Sequence, residues 1–194
     1  VEEEEGRSPS RPLAASAGTR MVFMAPTGDD SNSGLSARQA VATLSRVHEV
    51  VLAMVAKSDA SDISVRIAPS LYRGQSARWT TAATMRHHTV TLMSWNDTAP
   101  APVFDGCESP SSCRGIGFFE MRKARSPRGG IQTNIRLHRL EVQNYTNAVA
   151  LVGNRDNQSE FLSGNIVDHC TFRRIGNIFN KSLHGCCGAI DTMN

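Results

Sequence analysis

The sequence predicts an all-β fold in which one domain coils so that each turn of the chain stacks on the previous one. The 194 residues hold many short segments in which apolar and polar side chains alternate, as in half-buried strands. Gly, Asn and Pro turns, rather than helices, separate most of these segments. One segment also recurs at offsets of about 30 and about 50 residues, and spacings of this order are typical of solenoids.

The first part of the chain is predicted to contain a leader and one strand. Residues 1–18 are rich in Glu, Ser, Pro and Ala, a composition typical of flexible leaders. A strand is predicted at Met21–Met24, because this apolar run stops just before Pro26.

Acidic and amide side chains are concentrated in the loop Gly28–Gly34. Asp29, Asp30 and Asn32 offer oxygen atoms of the kind that bind calcium. The loop lacks the downstream glutamate of a helix-loop-helix calcium site, however, and the same side chains stabilise turns without a metal. We therefore expect a turn here, and calcium binding is left without support.

One amphipathic helix is predicted over about Ser36–Lys57. Ser36 and Gln39 have the spacing of a capping box, and the apolar residues after them recur at helical spacing. His48 and Glu49 lie off the apolar stripe and are expected in solvent. The helix is expected to cap the first turn of the coil, which would otherwise expose apolar side chains and strand edges.

The rest of the chain is predicted to form short strands without a second helix. These strands include Ile63–Ile67, Val90–Leu92, Leu140–Val142 and Cys170–Phe172.

A repeat within these strands predicts their register. A shift of about 30 residues superimposes Leu137 on Val167. A shift of about 50 residues superimposes Leu140 on Val90. The expected interior therefore has two ladders, one of Val90, Leu140 and Cys170 and one of Leu92, Val142 and Phe172.

Cysteines and glycosylation sequons predict secretion. Cys107 and Cys113 flank a short polar loop that closes easily as a disulfide in an oxidising compartment. The chain does not begin with Met, and a new strand starts near its last residues, so we expect a processed chain or a piece of a longer solenoid. Asn-x-Ser/Thr acceptors occur at Asn96, Asn144, Asn157 and Asn180.

Charge and hydropathy argue against a nucleic-acid partner and against a membrane span. The chain has 21 basic and 18 acidic residues, and the basic ones are scattered from Arg20 to Arg174 rather than gathered in a stripe. The longest apolar run, Val50–Ala56, is far shorter than the roughly 20 residues of a membrane span. We therefore expect no nucleic-acid partner and no membrane span.

Several segments of the chain share a further likeness. They are the strand and loop 23–34, the helix with Ala42–Leu44, the segments 65–74 and 102–106, and the strand-plus-Asn turns at 137–147 and 167–177. Over about residues 21–194 the sequence resembles the right-handed parallel β-helix proteins of the pectin-lyase-like superfamily, with their N-terminal cap and first rungs. Ser70 departs from the glycine that such proteins usually carry in this turn.

The resemblance implies an all-β, right-handed parallel β-helix with one N-terminal capping helix. Residues 19–194 would form this domain, with the first strand and the helix in 19–62 and the rungs in 63–194. It further implies an extracellular protein that processes polysaccharide as a lyase or a glycoside hydrolase. No cofactor is predicted. The alternative is a non-catalytic module that binds carbohydrate or stacks on another protein subunit through its open C-terminal end.

Polar residues on the outward face of the rungs are the candidate catalytic residues. If Leu140 points inward, Arg139 and Glu141 point outward. His169 then lies beside them in the next rung, with Asp168 at its edge. A base, a cation and a carboxylate this close suit proton transfer at a sugar ring. The alternative is a solvated, salt-bridged surface.

A second arrangement pairs Asp168 with Asp191, one rung further on. Two carboxylates across a groove are the arrangement of glycoside hydrolases. The register of Asp191 depends on the loop 180–187 that precedes it.

No metal site is predicted. The acidic residues are too dispersed for a calcium site of the pectate-lyase type. Zinc-binding residue types occur near the end of the chain, but they lack the Cys-x-x-Cys spacing of a structural zinc site. These residues are Cys170, which is expected inside the coil, and His184, Cys186 and Cys187.

Overall fold

The described part of the chain is mostly β-structure and contains one α-helix. The computed structural model describes residues 18–57, 62–80, 89–109, 112–113, 117–122, 131–152, 162–176 and 190–193. The helix α1 is Leu44–Ala56. The strands are β1 Arg20–Met24, β2 Ile63–Ile67, β3 Leu71–Arg73, β4 Ala77–Thr80, β5 Val90–Ser94, β6 Val103–Asp105, β7 Cys107–Ser109, β8 Ser112–Cys113, β9 Gly117–Arg122, β10 Ile131–Gln132, β11 Ile135–His138, β12 Glu141–Gln143, β13 Asn147–Val152, β14 Leu162–Ser163, β15 Ile166–Asp168, β16 Thr171–Arg173 and β17 Ile190–Met193.

Three parallel sheets contain most of these strands. The first sheet has the order β1-β2-β5-β11-β15, the second β3-β6-β12-β16 and the third β4-β9-β13-β17. The chain visits them in the same order on each pass, for example β11, then β12, then β13. Because a parallel pair needs a long crossover between its strands, the visits to the other two sheets supply that crossover. A short parallel pair, β10 with β14, and an antiparallel pair, β7 with β8, complete the described strands.

The inward rows of the first sheet form much of the core. Ile63, Val90 and Ile135 are aligned across β2, β5 and β11, and each is at most 2% exposed. The next inward row consists of Val65, Leu92, Leu137 and Val167. Because the side chains alternate along a strand, the residues between these rows face outward.

The structure corrects one of the two predicted offsets. At an offset of about 30 residues, Leu137 does pair with Val167, as expected. Val90, however, pairs with Ile135 rather than lying level with Leu140, so the offset is 135 − 90 = 45 residues. The ladder of Val90, Leu140 and Cys170 is therefore wrong at Val90.

The second predicted ladder is wrong in the same way. Val142 pairs with Phe172, as expected, but its partner on the other side is Phe104 of the second sheet. Leu92 belongs to the first sheet and pairs with Leu137. The predicted offset of about 50 residues exceeds the observed one by about five. Because β11 and the segment after it have the same alternation of apolar and polar side chains, an error of about five residues moves the alignment from the first sheet to the second.

The helix begins later than predicted. Its N-cap is Thr43, whose hydroxyl accepts a hydrogen bond from the Arg46 backbone N–H at 3.1 Å. Ser36 precedes only the single 3-10 turn Ala37–Gln39. The predicted helix start at Ser36 is therefore wrong. The chain between the 3-10 turn and Thr43 instead covers the edge of the first sheet.

That intervening chain covers the outer edge of the first sheet. Val41 forms a parallel bridge with Met24, and its backbone hydrogen-bonds to Phe23 and Ala25. Gly28 belongs to the same contact, because a Cβ on it would lie 2.5 Å from the Val41 carbonyl oxygen. β1 therefore does not present a free edge here.

The helix packs its apolar face against the ends of two sheets. It contacts β1, the terminal strand of the first sheet, and β4, the terminal strand of the third. This is the position expected of a cap. The buried residues of the helix are Leu44, Val47, Val50, Val51 and Val55.

His48 was expected in solvent, but it is half-buried against an aromatic ring. Its imidazole stacks on Trp79, with ring centroids 5.0 Å apart and planes 16° apart. Trp79 is fully buried and belongs to β4. Burial lowers the pKa of His48, and the neighbouring Glu49 partly opposes that shift. The ring therefore helps to attach the helix to the third sheet.

The acidic loop is a turn held by its own side chains, as expected. The Asp29 carboxylate accepts a hydrogen bond from the Ser31 backbone N–H at 2.8 Å. The Asp30 carboxylate accepts from the backbone N–H groups of Ala42 and Thr43 at 2.8 and 3.0 Å. These bonds join the loop to the start of the helix.

A disulfide joins Cys107 and Cys113, as predicted, and it links β7 to β8. Cys170 is a free, half-buried thiol, and burial raises its pKa. His184, Cys186 and Cys187 lie outside the described residues. Within the part of the chain that the structure describes, no helix has the length and apolar character needed to cross a membrane.

Candidate functional site

Four polar side chains meet where β11 and β15 end. They come together because Arg136 and His138 alternate with the inward-facing Ile135 and Leu137. The register of the first sheet then places His138 directly beside Asp168. The four side chains are Arg136, His138, Asp168 and His169.

Arg136 and Asp168 form a two-pronged ion pair. The Arg136 Nε donates to one carboxylate oxygen of Asp168 at 3.1 Å, and an Nη donates to the other. These hydrogen bonds are the main reason that the pKa of Asp168 lies well below its usual value, against an opposing contribution from burial. Asp168 is therefore a stable carboxylate and a poor proton donor.

The carboxylate of Asp168 also lies between two imidazoles. The Nδ1 atom of His138 is 3.1 Å from one of its oxygens, and the Nδ1 of His169 is 3.4 Å from the other. The rings meet edge to face, with centroids 5.4 Å apart. In the tautomer that carries its proton on Nδ1, His138 donates to Asp168 and has Nε2 as its proton acceptor.

The two imidazoles differ in exposure. The side chain of His138 is 17% exposed, whereas that of His169 is 74% exposed. His169 lies at a corner of the chain with a positive φ of 54°, and Arg139 occupies the equivalent corner with a φ of 53°. Bulky residues adopt this left-handed conformation at a cost, and such positions are common at functional sites.

The side chains of Arg139 and Glu141 have partners outside the cluster of Asp168 and His169, although the Arg139 backbone N–H donates to the Asp168 carbonyl oxygen at 3.2 Å. The guanidinium of Arg139 donates to the Ala99 carbonyl at 3.3 Å. Glu141 belongs to β12 of the second sheet and forms an ion pair with Arg173 at 3.1 Å. The structure therefore divides the predicted cluster of Arg139, Glu141, His169 and Asp168, and Glu141 has the salt-bridged surface that was the alternative.

Asp191 lies in a different sheet from Asp168. It is in β17, where its backbone pairs with Ala150 of the third sheet. Asp168 is in β15 of the first sheet. Strand pairing therefore does not bring these two carboxylates side by side.

Sequence reasoning missed Arg136 and His138. A signal for His138 was present, because the shift of about 30 residues that pairs Leu137 with Val167 also pairs His138 with Asp168. The alternation within β11 then places Arg136 on the same outward face.

Two of the four predicted glycosylation acceptors lie in the described residues. Asn96 is exposed, and its side-chain oxygen accepts hydrogen bonds from Thr98 and Ala99. The Nδ2 of Asn144, which is the atom a glycan would occupy, donates to the buried Asp105 carboxylate at 2.8 Å. Two further predicted acceptors, Asn157 and Asn180, lie outside the described residues.

No protein family matches this sequence, and neither a curated protein nor a solved structure matches it. The function is therefore inferred from the geometry of the site.

Proposed function

We propose that the chain is a right-handed parallel β-helix of the pectin-lyase-like superfamily. Repeated visits to three parallel sheets in a constant order support this fold, because each of the four passes that begin at β2, β5, β11 and β15 adds one strand to every sheet. The helix at one end of the sheets supports a cap. The Cys107–Cys113 disulfide supports secretion, because such bonds persist in oxidising compartments.

We further propose that this protein cleaves an extracellular polysaccharide by lyase chemistry at the cluster around His138. The observation that carries the proposal is the orientation of His138 by Asp168, with Nδ1 and the carboxylate oxygen 3.1 Å apart. A carboxylate in this position selects the tautomer that accepts a proton at Nε2, and it stabilises the imidazolium that forms.

The proposed step is a β-elimination on a uronate-containing chain. His138 Nε2 takes the proton from the ring carbon next to the carboxylate group. The electron pair of that C–H bond forms a carbon–carbon double bond, and the bond to the glycosidic oxygen breaks. The departing oxygen gains a proton from water, and the hydroxide left behind takes the abstracted proton from the His138 imidazolium. The products are an unsaturated sugar end and a free hydroxyl, and the histidine and the water are regenerated.

Lyase chemistry fits the cluster better than glycoside hydrolysis. A glycoside hydrolase uses a carboxylic acid with a raised pKa as its proton donor. The pKa of Asp168 is instead lowered, chiefly by Arg136. The hydrolase pair of Asp168 and Asp191 is also not side by side in one sheet.

The test is activity on a panel of uronate-containing and neutral glycans. We expect ultraviolet absorbance from an unsaturated product with a uronate-containing glycan, and we expect His138→Ala to lower kcat/KM about 100-fold or more. Glu141→Gln is the control, because Glu141 pairs with Arg173 outside the cluster. Unchanged turnover in the His138 variant would exclude it as the base.

A non-catalytic module that stacks on another subunit is the second candidate. One observation favours it. Val167 and Phe172 are only half-buried, whereas Leu137 and Val142, their partners in the preceding strands, are at most 2% exposed. The face formed by Val167 and Phe172 is therefore apolar and open to a further layer.

A further inference from the structure

We propose that His138, Asp168 and His169 together bind a divalent transition-metal ion of the zinc class. We refer to these three residues as the His-Asp-His cluster. The proposal needs only the three side chains and does not depend on the proposed glycan chemistry.

The spacing of the cluster suits a tetrahedral metal. The ligand atoms of the three side chains lie within 4.8 Å of one another. The two imidazole nitrogens lie 3.1 and 3.4 Å from the carboxylate oxygens. In a tetrahedral site with Zn–N bonds of about 2.0–2.1 Å, neighbouring ligand atoms are about 3.3 Å apart. Small side-chain rotations therefore suffice to bring the ligands around one ion.

The ligand types select the class of metal. Two imidazoles and one carboxylate are typical of zinc and related ions, whereas calcium and magnesium prefer oxygen ligands throughout. Three protein ligands also leave a fourth position for water. The exposed side of the cluster, where His169 is 74% exposed, gives solvent access to that position.

The backbone presents the ligands from a rigid element. His138 and Asp168 are aligned on adjacent strands of the first sheet. His169 follows at the corner with the positive φ of 54°. Arg136 donates to both oxygens of the same carboxylate, as outer-shell hydrogen-bond donors do around metal sites.

Arg136 also limits the strength of the site. Its positive charge shares the Asp168 carboxylate and repels a cation, so we expect weaker binding than in a closed structural zinc site. A metal ion on Nδ1 of His138 would replace the proton there and leave the remaining proton on Nε2. The metal-bound form would then lack the base of the proposed reaction, so zinc should inhibit it.

The test is calorimetric titration of the full chain with zinc chloride, without any glycan. We expect a zinc site whose Kd rises at least tenfold in His169→Gln and in His138→Gln, and remains unchanged in Glu141→Gln. Because His169 is exposed, His169→Gln keeps the test valid even if the other variant failed to fold. Absence of zinc binding, or binding that His169→Gln leaves unchanged, would overturn the metal site and leave the lyase proposal to its own assay.

Discussion

At the scale of residues, the Asp168 carboxylate is the common partner of the other side chains in the candidate site. Asp168 receives the guanidinium of Arg136 and the imidazole of His138 from the adjacent strand, and the ring of His169 from the corner that follows its own strand. Its side chain is 23% exposed, so water screens these contacts only in part. Removing its charge should therefore affect both the pH dependence of stability and the orientation of His138.

Asp168→Asn should reduce the loss of stability in acid. The folded-state pKa of Asp168 is lowered, mainly by Arg136, so its ionised form stabilises the fold above the unfolded-state value of about 4. That contribution is lost as the pH falls below about 4 toward the folded-state pKa. We expect it to be about 1 kcal/mol, since Arg136 is partly exposed. Urea unfolding near neutral pH and near pH 3 measures the difference.

Glu49→Gln is the control for that measurement, because Glu49 is an exposed acid whose ion pair with Arg46 lies on the helix. We expect its acid dependence to match that of the natural chain. Equal acid dependence in Asp168→Asn and the natural chain would contradict the role given to this carboxylate.

At the scale of elements, close backbone contacts join the corners of successive passes of the chain. The backbone N–H of Gly106 donates to the Gln143 carbonyl, and the N–H of Asn144 donates to the Arg173 carbonyl. Successive passes are therefore hydrogen-bonded at the same corner. A Cβ on Gly106 would lie 2.2 Å from the carbonyl oxygen of Asn144, so the corner has no room for a side chain.

Gly106→Ala should destabilise the protein by about 3 kcal/mol, because the new methyl group would push two packed corners apart. Gly117→Ala is the matched control, since its Cβ would lie at an ordinary 3.8 Å from the nearest atom, the Asn147 carbonyl oxygen. The free energy of unfolding in urea should fall in the first variant and change little in the second. An equal loss of unfolding free energy in the two variants would mean that the corner shifts to accommodate the methyl group, and it would contradict the prediction.

Strand alternation and the offset of about 30 residues could be predicted, because both leave a periodic pattern of side chains. The pairing of Leu137 with Val167 shows how far that pattern reaches. The offset of 45 residues between Val90 and Ile135 could not be predicted, since strands of different sheets have the same alternation. The start of the helix was also missed, because Val41 pairs with Met24 and this tertiary contact outweighs the capping pattern at Ser36.

The candidate site was only partly accessible from the sequence for the same reason. Asp168 and His169 were found as outward residues of a rung. Glu141 was grouped with them because sequence alternation does not show that β12 belongs to another sheet than β15. When β11 and β12 are assigned to different sheets, His138 of β11 is the residue that lies beside Asp168.

At the scale of the whole molecule, the first and the last strands of the sheets differ in how their apolar residues are covered. One end holds β1 and β4, which the helix contacts. The other end holds β15 and β16, where Val167 and Phe172 are half-buried. If this apolar face binds a second subunit, sedimentation should show concentration-dependent association that Phe172→Lys abolishes.

Leu71→Lys is the control for association, because Leu71 is also an exposed apolar residue, at 43%, but lies on β3 at the opposite end of the second sheet. We expect it to leave association unchanged. A monomer at all concentrations would exclude the stacking candidate.

The coverage of the β1 edge by Val41 has a consequence for assembly. Where Val41 occupies the edge of β1, a strand from another copy cannot pair there and extend the first sheet. Uncovered edge strands invite pairing between chains, so this coverage works against growth of the first sheet into a fibre.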